Sequence, residues 1–403
     1  MILIAALIVS AFDIVKLLSN FETDQYTIQA QKIFDDAHAK VEQTRGVTLP
    51  NGITLHIITK QDAVNMWGKP SGTVDLTNIN RQEKIYKGLF MMPQSDSLYQ
   101  ATSDWTANWA AATVGKSDIY VIRENFNPFD KNAENTFIHE LTHIWQPQLE
   151  TPTTYDEDKA HTALVEGDAS FMGDNYLNWT NSQASIDLPV YLIDNPILDT
   201  VHPMSKTLWS LDYFPYDQGK TFVTAIYQQG GFTTINQAYK SGYTPSSTMQ
   251  ILHPEKYFSN ETAHPVNSPN LADNPWTLAQ TDRGQNHNTY GEYFIQAMLA
   301  TWLNQTTAQQ AAAGWAGDNF TYYEKGNDYL YTWNIQWASS LDAGEFSNAF
   351  QSMVNATGQA VSNGVDNWSA NGRYFTFDWN QGTNSTLVAV STVQNAVQQS
   401  NFS

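Results

Sequence analysis

The sequence predicts an α+β fold that is predominantly helical, with a small sheet in its first half, a helical second half and a terminal β-hairpin. Two short β-branched runs predict the small sheet, and long helical periodicity after Thr207 predicts the helical half. Of the 403 residues 41% are hydrophobic, and 13 Trp, 20 Tyr and 19 Phe require a packed core. Only 15% are charged, with a formal net charge of −20, which disfavours nucleic acid and anionic membrane as partners. There is no cysteine, so any catalytic metal must be held by histidines and carboxylates.

Along the chain, Met1 to Phe12 form an apolar run that Asp13 ends. As a helix it would span about 18 Å, too short for a membrane and suited to the apolar region of a signal peptide. Export is therefore expected, with residues 1–20 a signal peptide or N-terminal anchor. Asn-x-Ser/Thr sequons at Asn178, Asn260, Asn304, Asn319, Asn355, Asn367, Asn384 and Asn401 lean the same way, towards N-glycans and an extracellular or cell-surface location.

Residues 24–45 read as an amphipathic helix with Ile28, Ile33, Phe34, Ala37 and Val41 on its apolar side and Gly46 as its stop. The runs 53–59 and 119–122 read as strands of one sheet, with a helix over 78–92 between them. Asp130 is placed as the N-cap of a helix from Lys131 to about Trp145, which Pro147 ends. A second helix is expected from about Lys159 to Trp179. From Thr207 to about Asn355 the pattern is mostly helical, apart from loops near 253–289 and a hairpin turning at Gly326-Asn-Asp328. Arg373–Trp379 and Thr386–Ser391 form the expected terminal hairpin. The domain boundaries implied are 21–200 for a catalytic part, 201–365 for a mainly helical part and 366–403 for the hairpin and tail.

The chemistry is concentrated in His139-Glu140-Leu141-Thr142-His143. Residues four apart on a helix share a face, so both imidazoles can reach one ion, while Glu140 flanks it and can take a proton from the attacking water. Zinc needs a third protein ligand and keeps a fourth position open in catalytic sites. Glu166, in Leu164-Val-Glu-Gly-Asp-Ala169, is the favoured third ligand, with small Gly167 and Ala169 letting the helices approach. Asp168, His161, Glu157 and Asp158 remain alternatives on spacing alone, Asp168 fitting better as a partner that orients a ligand histidine. Hydrolysis through a tetrahedral intermediate also needs a donor for the developing oxyanion, for which Tyr216 is preferred over Tyr213, His202 and Tyr290 near Arg283. His253, ahead of Pro254, reads as a cap or turn residue.

The string from Phe137 to Gln146, followed by Ala163-Leu-Val-Glu-Gly-Asp-Ala169, resembles gluzincin-like zinc metallopeptidase sequences of archaeal and bacterial exported proteins. Ile119–Ile122, Phe214–Gly219, Ser247–Tyr257 and Gly314–Asp318 are similar too, so the likeness extends over about residues 25–360. The Gln146-Pro147-Gln148 stretch departs from the group's pattern. The resemblance implies a zincin-like core, His139, His143 and Glu166 as ligands of Zn2+, Glu140 as general base and a peptide or protein as substrate. A rival expectation from another class is an exported adhesion or glycan-binding protein whose metal site is purely structural.

Overall fold

The computed structural model describes residues 25–69, 73–178, 206–267, 276–279 and 287–398. The expected signal segment 1–20, His202, Arg283 and the sequon at Asn401 lie outside the described residues. Contacts divide the chain into two compact units. Restricted to the described residues, the first holds 25–69, 103–147 and 169–178, and the second holds the remainder.

The first half of the chain carries α1 (25–45), β1 (Thr54–Ile58), α2 (Lys60–Trp67), α3 (Thr73–Gly88), α4 (Leu98–Ala107), β2 (Ala111–Val114), β3 (Asp118–Ile122), α5 (Ala133–Trp145) and α6 (Tyr155–Asn178). In the first unit β1 pairs parallel with β3, and β2 lies antiparallel on the other side of β3, at the sheet edge. Helix α1 buries Tyr26, Ala30, Phe34, Ala37 and Val41 as one stripe, whereas Ile28 is 60% exposed, so the apolar face is rotated from the expected one. Phe34 meets Phe137 of α5 edge-on at 5.6 Å, and Phe126 meets the same ring at 5.1 Å.

Two helix starts differ from expectation. Asp130 does not cap α5: its Oδ1 accepts from the Asn132 backbone N–H at 2.8 Å, closing a turn before the helix begins at Ala133. Helix α6 starts at Tyr155, because Thr154 Oγ1 accepts from the Glu157 N–H at 3.2 Å.

The rest of the chain adds α7 (Lys206–Gly230), α8 (Phe232–Ala238), α9 (Thr248–Leu252), α10 (Pro254–Phe258), β4 (Thr277–Ala279), β5 (His287–Asn288), α11 (Gly291–Ala300), α12 (Gln305–Ala312), β6 (Trp315–Lys325), β7 (Asp328–Trp337), α13 (Ser340–Ala356), β8 (Val361–Gly364), β9 (Asn367–Ala370), β10 (Arg373–Asn380), β11 (Ser385–Ser391) and α14 (Gln394–Gln398). Its centre is an eight-stranded antiparallel sheet ordered β4-β6-β7-β11-β10-β9-β8, with β5 also pairing to β6. The expected hairpins are present, β6–β7 turning at Gly326 and β10–β11 closing the series, but they belong to one sheet. Among the described residues of 201–365, helices α7 to α13 hold more residues than strands β4 to β8, as the mainly helical expectation has it.

Both sheet faces are covered. Phe320 and Trp333 face α11 through Tyr290 and Phe294, Trp337 stacks on Phe346 of α13 at 4.8 Å, and Leu330 and Ala389 pack under Ala396 and Val397 of α14. No helix among the described residues is long and apolar enough to cross a membrane.

Candidate metal centre

Helix α5 holds the two histidines one turn apart, and their Nε2 atoms lie 3.0 Å from each other. Glu166 on α6 completes the group: one ligand atom from each of the three residues lies within 4.8 Å of the others. Two nitrogens bound to a tetrahedral zinc ion at about 2.0–2.1 Å are about 3.3 Å apart, so the imidazoles already stand near chelating separation. Two neutral imidazoles and one carboxylate are a donor set that zinc accepts, leaving one position for water or substrate.

The helix pair is tied together within the first unit. Asn135 Nδ2 donates to Asp174 Oδ1 at 3.0 Å, and a Cβ on Gly173 would lie only 1.9 Å from Asn135 Oδ1. Glu166 sits two turns earlier on the same helix, in the part of α6 that belongs to the second unit. Gly167 serves a different neighbour from the one expected. A Cβ there would meet the Gly219 backbone of α7 at 2.2 Å, and one on Gly219 would meet the Ala163 carbonyl oxygen at 2.2 Å.

The β2–β3 hairpin clasps α5 from the sheet side. Thr113 on β2 donates from Oγ1 to Glu140 Oε2 at 2.6 Å, turning the buried carboxylate of Glu140 towards the sheet edge. Lys116, in the turn with Gly115 at φ 64, donates from Nζ to the carbonyl oxygens of His143 and Gln146. A cation on the last carbonyls opposes the negative end of the helix dipole. Burial pushes the Lys116 ammonium below its ordinary pKa. Gln146, itself buried, accepts from His143 Nδ1 through Oε1 at 2.8 Å. A proton held on Nδ1 leaves the Nε2 lone pair for a metal.

Thr113 and Gln146 carried no motif in the sequence. Gln146 lies three residues after His143, a spacing that brings side chains together on a helix, and that is its only sequence-level signal. The other acidic and histidine candidates have other settings. Asp168 is fully buried and accepts from Tyr239 O–H at 3.0 Å through Oδ2, while Glu157 Oε2 accepts from the Thr153 N–H at 2.6 Å. His161 is buried, which lowers its pKa, with Nε2 3.9 Å from Glu157 Oε1. Asp158 lies in the first turn of α6. Among the described residues, the cluster with the two histidines contains Glu166.

Of the oxyanion candidates, Tyr216 is half-buried on α7, three residues before Gly219, with its ring 5.6 Å from that of the exposed Tyr213. Tyr290 is fully buried, stacked on Phe294 at 4.2 Å, and serves the core of the second unit. His253 closes α9 and precedes α10, its Nε2 2.8 Å from Glu292 Oε1.

A family profile described as a domain of unknown function (DUF8575) matches residues 278–399, the span from β4 into α14. His139, Glu140, His143 and Glu166 precede that span. No curated protein and no solved structure matches the chain.

Proposed function

We propose that the chain is a zinc-dependent, gluzincin-like metallopeptidase whose metal is held by His139, His143 and Glu166. The convergence of these three side chains on one point, with Glu140 beside them, carries the reading. A bound zinc ion would supply Lewis-acid polarisation of a scissile carbonyl and of an attacking water.

The remaining work falls to the chain. Glu140 accepts the proton of the attacking water and returns it to the leaving amine, and Thr113 aims one of its carboxylate oxygens. Gln146 holds the His143 ring in its ligating tautomer. Tyr216 is proposed as the oxyanion donor on residue type alone, the family resemblance naming no residue for that role. The peptide or protein substrate is proposed on the same resemblance.

Export is supported by the apolar start of the sequence and by exposed sequon asparagines at Asn260, Asn304 and Asn355. Asn319 and Asn367 instead donate their amides to backbone carbonyls of Val266 and Val365.

The test compares wild type with Glu140→Gln for metal content and for cleavage of a mixed peptide library. About one zinc per chain in both, with cleavage by wild type alone and a loss of at least ~1,000-fold in the variant, is the expected result. Absence of zinc in both overturns the metal assignment. Zinc in both with cleavage in neither returns the site to a structural role.

A further inference from the structure

We propose that the second unit contains a binding site for an uncharged, largely apolar small molecule carrying one amide or hydroxyl group. The site is a cavity of about 650 Å³, a size typical of small-ligand pockets. Its apolar walls come from the segment after α3, from helix α11 and from the connection between α11 and α12, with Phe90, Met92, Ala297, Ala300 and Leu303 as the main surfaces. Among the described residues, no Asp, Glu, Lys, Arg or His lines it.

Most of its polar wall groups are engaged within the protein. Thr207 and Thr301 bond to each other at 2.5 Å through their hydroxyls, Ser210 Oγ donates to the Thr207 carbonyl, and Tyr293 O–H donates to the Ser210 carbonyl. Trp302 Nε1 donates to the Phe90 carbonyl at 2.8 Å, and Gln94 Oε1 accepts from Arg373, which is itself outside the wall. Ser95 donates to Asp96, Gln359 accepts from Asn371, and Gln305 is only half-buried.

Gln296 is the most deeply buried of the wall amides that face the cavity. It lies in α11, whose residues from Gly291 to Leu299 are all buried, it is 6% exposed, and it lines the cavity, to which its carboxamide is open rather than sealed away without a partner. A ligand that enters the cavity displaces water from this amide and must then donate to it and accept from it. One such group amid apolar walls specifies one polar end on an apolar body.

Charge selects further. A carboxylate or ammonium would leave water without meeting a counter-charge, and the net charge of −20 opposes an anion again. The wall is also preformed. Phe90 is held at φ 57, a left-handed backbone unusual for a bulky residue, by its carbonyl bond to Trp302 and by stacking on Phe375 at 5.1 Å.

The test uses the full chain and the neutral solvatochromic dye Nile red, displaced by octanamide, octanoate or octylammonium. Saturable dye binding, with octanamide displacing it at a concentration at least tenfold lower than either charged analogue, is expected. Ala300→Phe, which fills the cavity, should abolish dye binding, and Gln296→Leu should keep dye binding but erase the preference for octanamide. Circular dichroism melting of each variant identifies one that has failed to fold, and the Gln296→Leu comparison stands without Ala300→Phe. Absence of saturable dye binding, unchanged binding in folded Ala300→Phe, or displacement by octanoate as readily as by octanamide overturns the proposal.

Discussion

Pro215 interrupts the hydrogen bonding of α7 at a place where another helix repairs it. Proline has no N–H, so the carbonyl of Leu211, one turn earlier, loses its intrahelical donor. Lys159 of α6 supplies the replacement, Nζ donating to Leu211 O at 2.9 Å. Lys159→Met should therefore destabilise the protein by about 1–3 kcal/mol in urea unfolding, and by clearly less when Pro215→Ala has restored the backbone donor. Equal losses in both backgrounds would dissociate Lys159 from the proline. The two residues that support the metal centre separate by readout. Thr113→Val should lower kcat about tenfold at unchanged zinc content, because only the aim of Glu140 is lost. Gln146→Leu should weaken zinc affinity about 10–100-fold, measured by competition with a chromogenic chelator, because the His143 ring loses its acceptor.

At the scale of elements, glycines decide how closely α6 is packed, and they do so unequally. A Cβ on Gly167 would strike the Gly219 backbone, which cannot move without shifting α7. A Cβ on Gly173 would strike the end of the Asn135 side chain, which can swing away at the loss of its bond to Asp174. Gly167→Ala should thus cost about 3 kcal/mol by urea unfolding and Gly173→Ala about 1 kcal/mol or less, since alanine's better helix propensity offsets part of the second.

The same contrast between local and long-range causes explains what could be read from the sequence. The end of α5, the pairing of His139 with His143, and the β6–β7 turn depend on residues a few positions apart, and each was legible. The start of α6 is legible in the same way, in the three-residue spacing of Thr154 and Glu157. The large sheet was not, because Tyr331, Trp333 and Ile335 face one buried side of β7 and Leu330 and Thr332 the other, leaving no alternation of apolar and polar residues. Glu166 became more than one of several carboxylates only through the approach of α6 to α5, and Thr113 only through the clasp of the β2–β3 hairpin.

At the scale of the molecule, the acidic excess and two buried carboxylates pull stability in the same direction as pH changes. Burial pushes Asp156 up to about 8 against the bonds it accepts from the N–H and hydroxyl of Thr248, and Asp318 and Glu292 nearby raise it further. Burial also pushes Asp318 up to about 6, although it accepts from the N–H groups of Tyr290 and Gly291. The folded chain therefore keeps a proton on Asp156 that the unfolded chain releases above its ordinary value of 3.8. Stability from this group is complete below that value and declines as pH rises towards about 8. The opposite slope comes from exposed or half-exposed acids with partners, such as Glu324 bound by Arg81 and Asp118 bound by Ser117 and His56, whose lowered pKa values lose their stabilisation as pH falls through them. The net charge of −20 adds self-repulsion that acidification relieves. Together these place the optimum on the acidic side of neutrality, and a chelator-treated sample should melt higher at pH 5.5 than at pH 8. Asparagine at position 156 still offers an oxygen to Thr248 but carries no charge at any pH. Asp156→Asn should accordingly raise the melting temperature at pH 8 and change it little at pH 4. A variant equally destabilised at both values would show that Asp156 is needed as a hydrogen-bonded carboxylate and would remove it from the pH dependence.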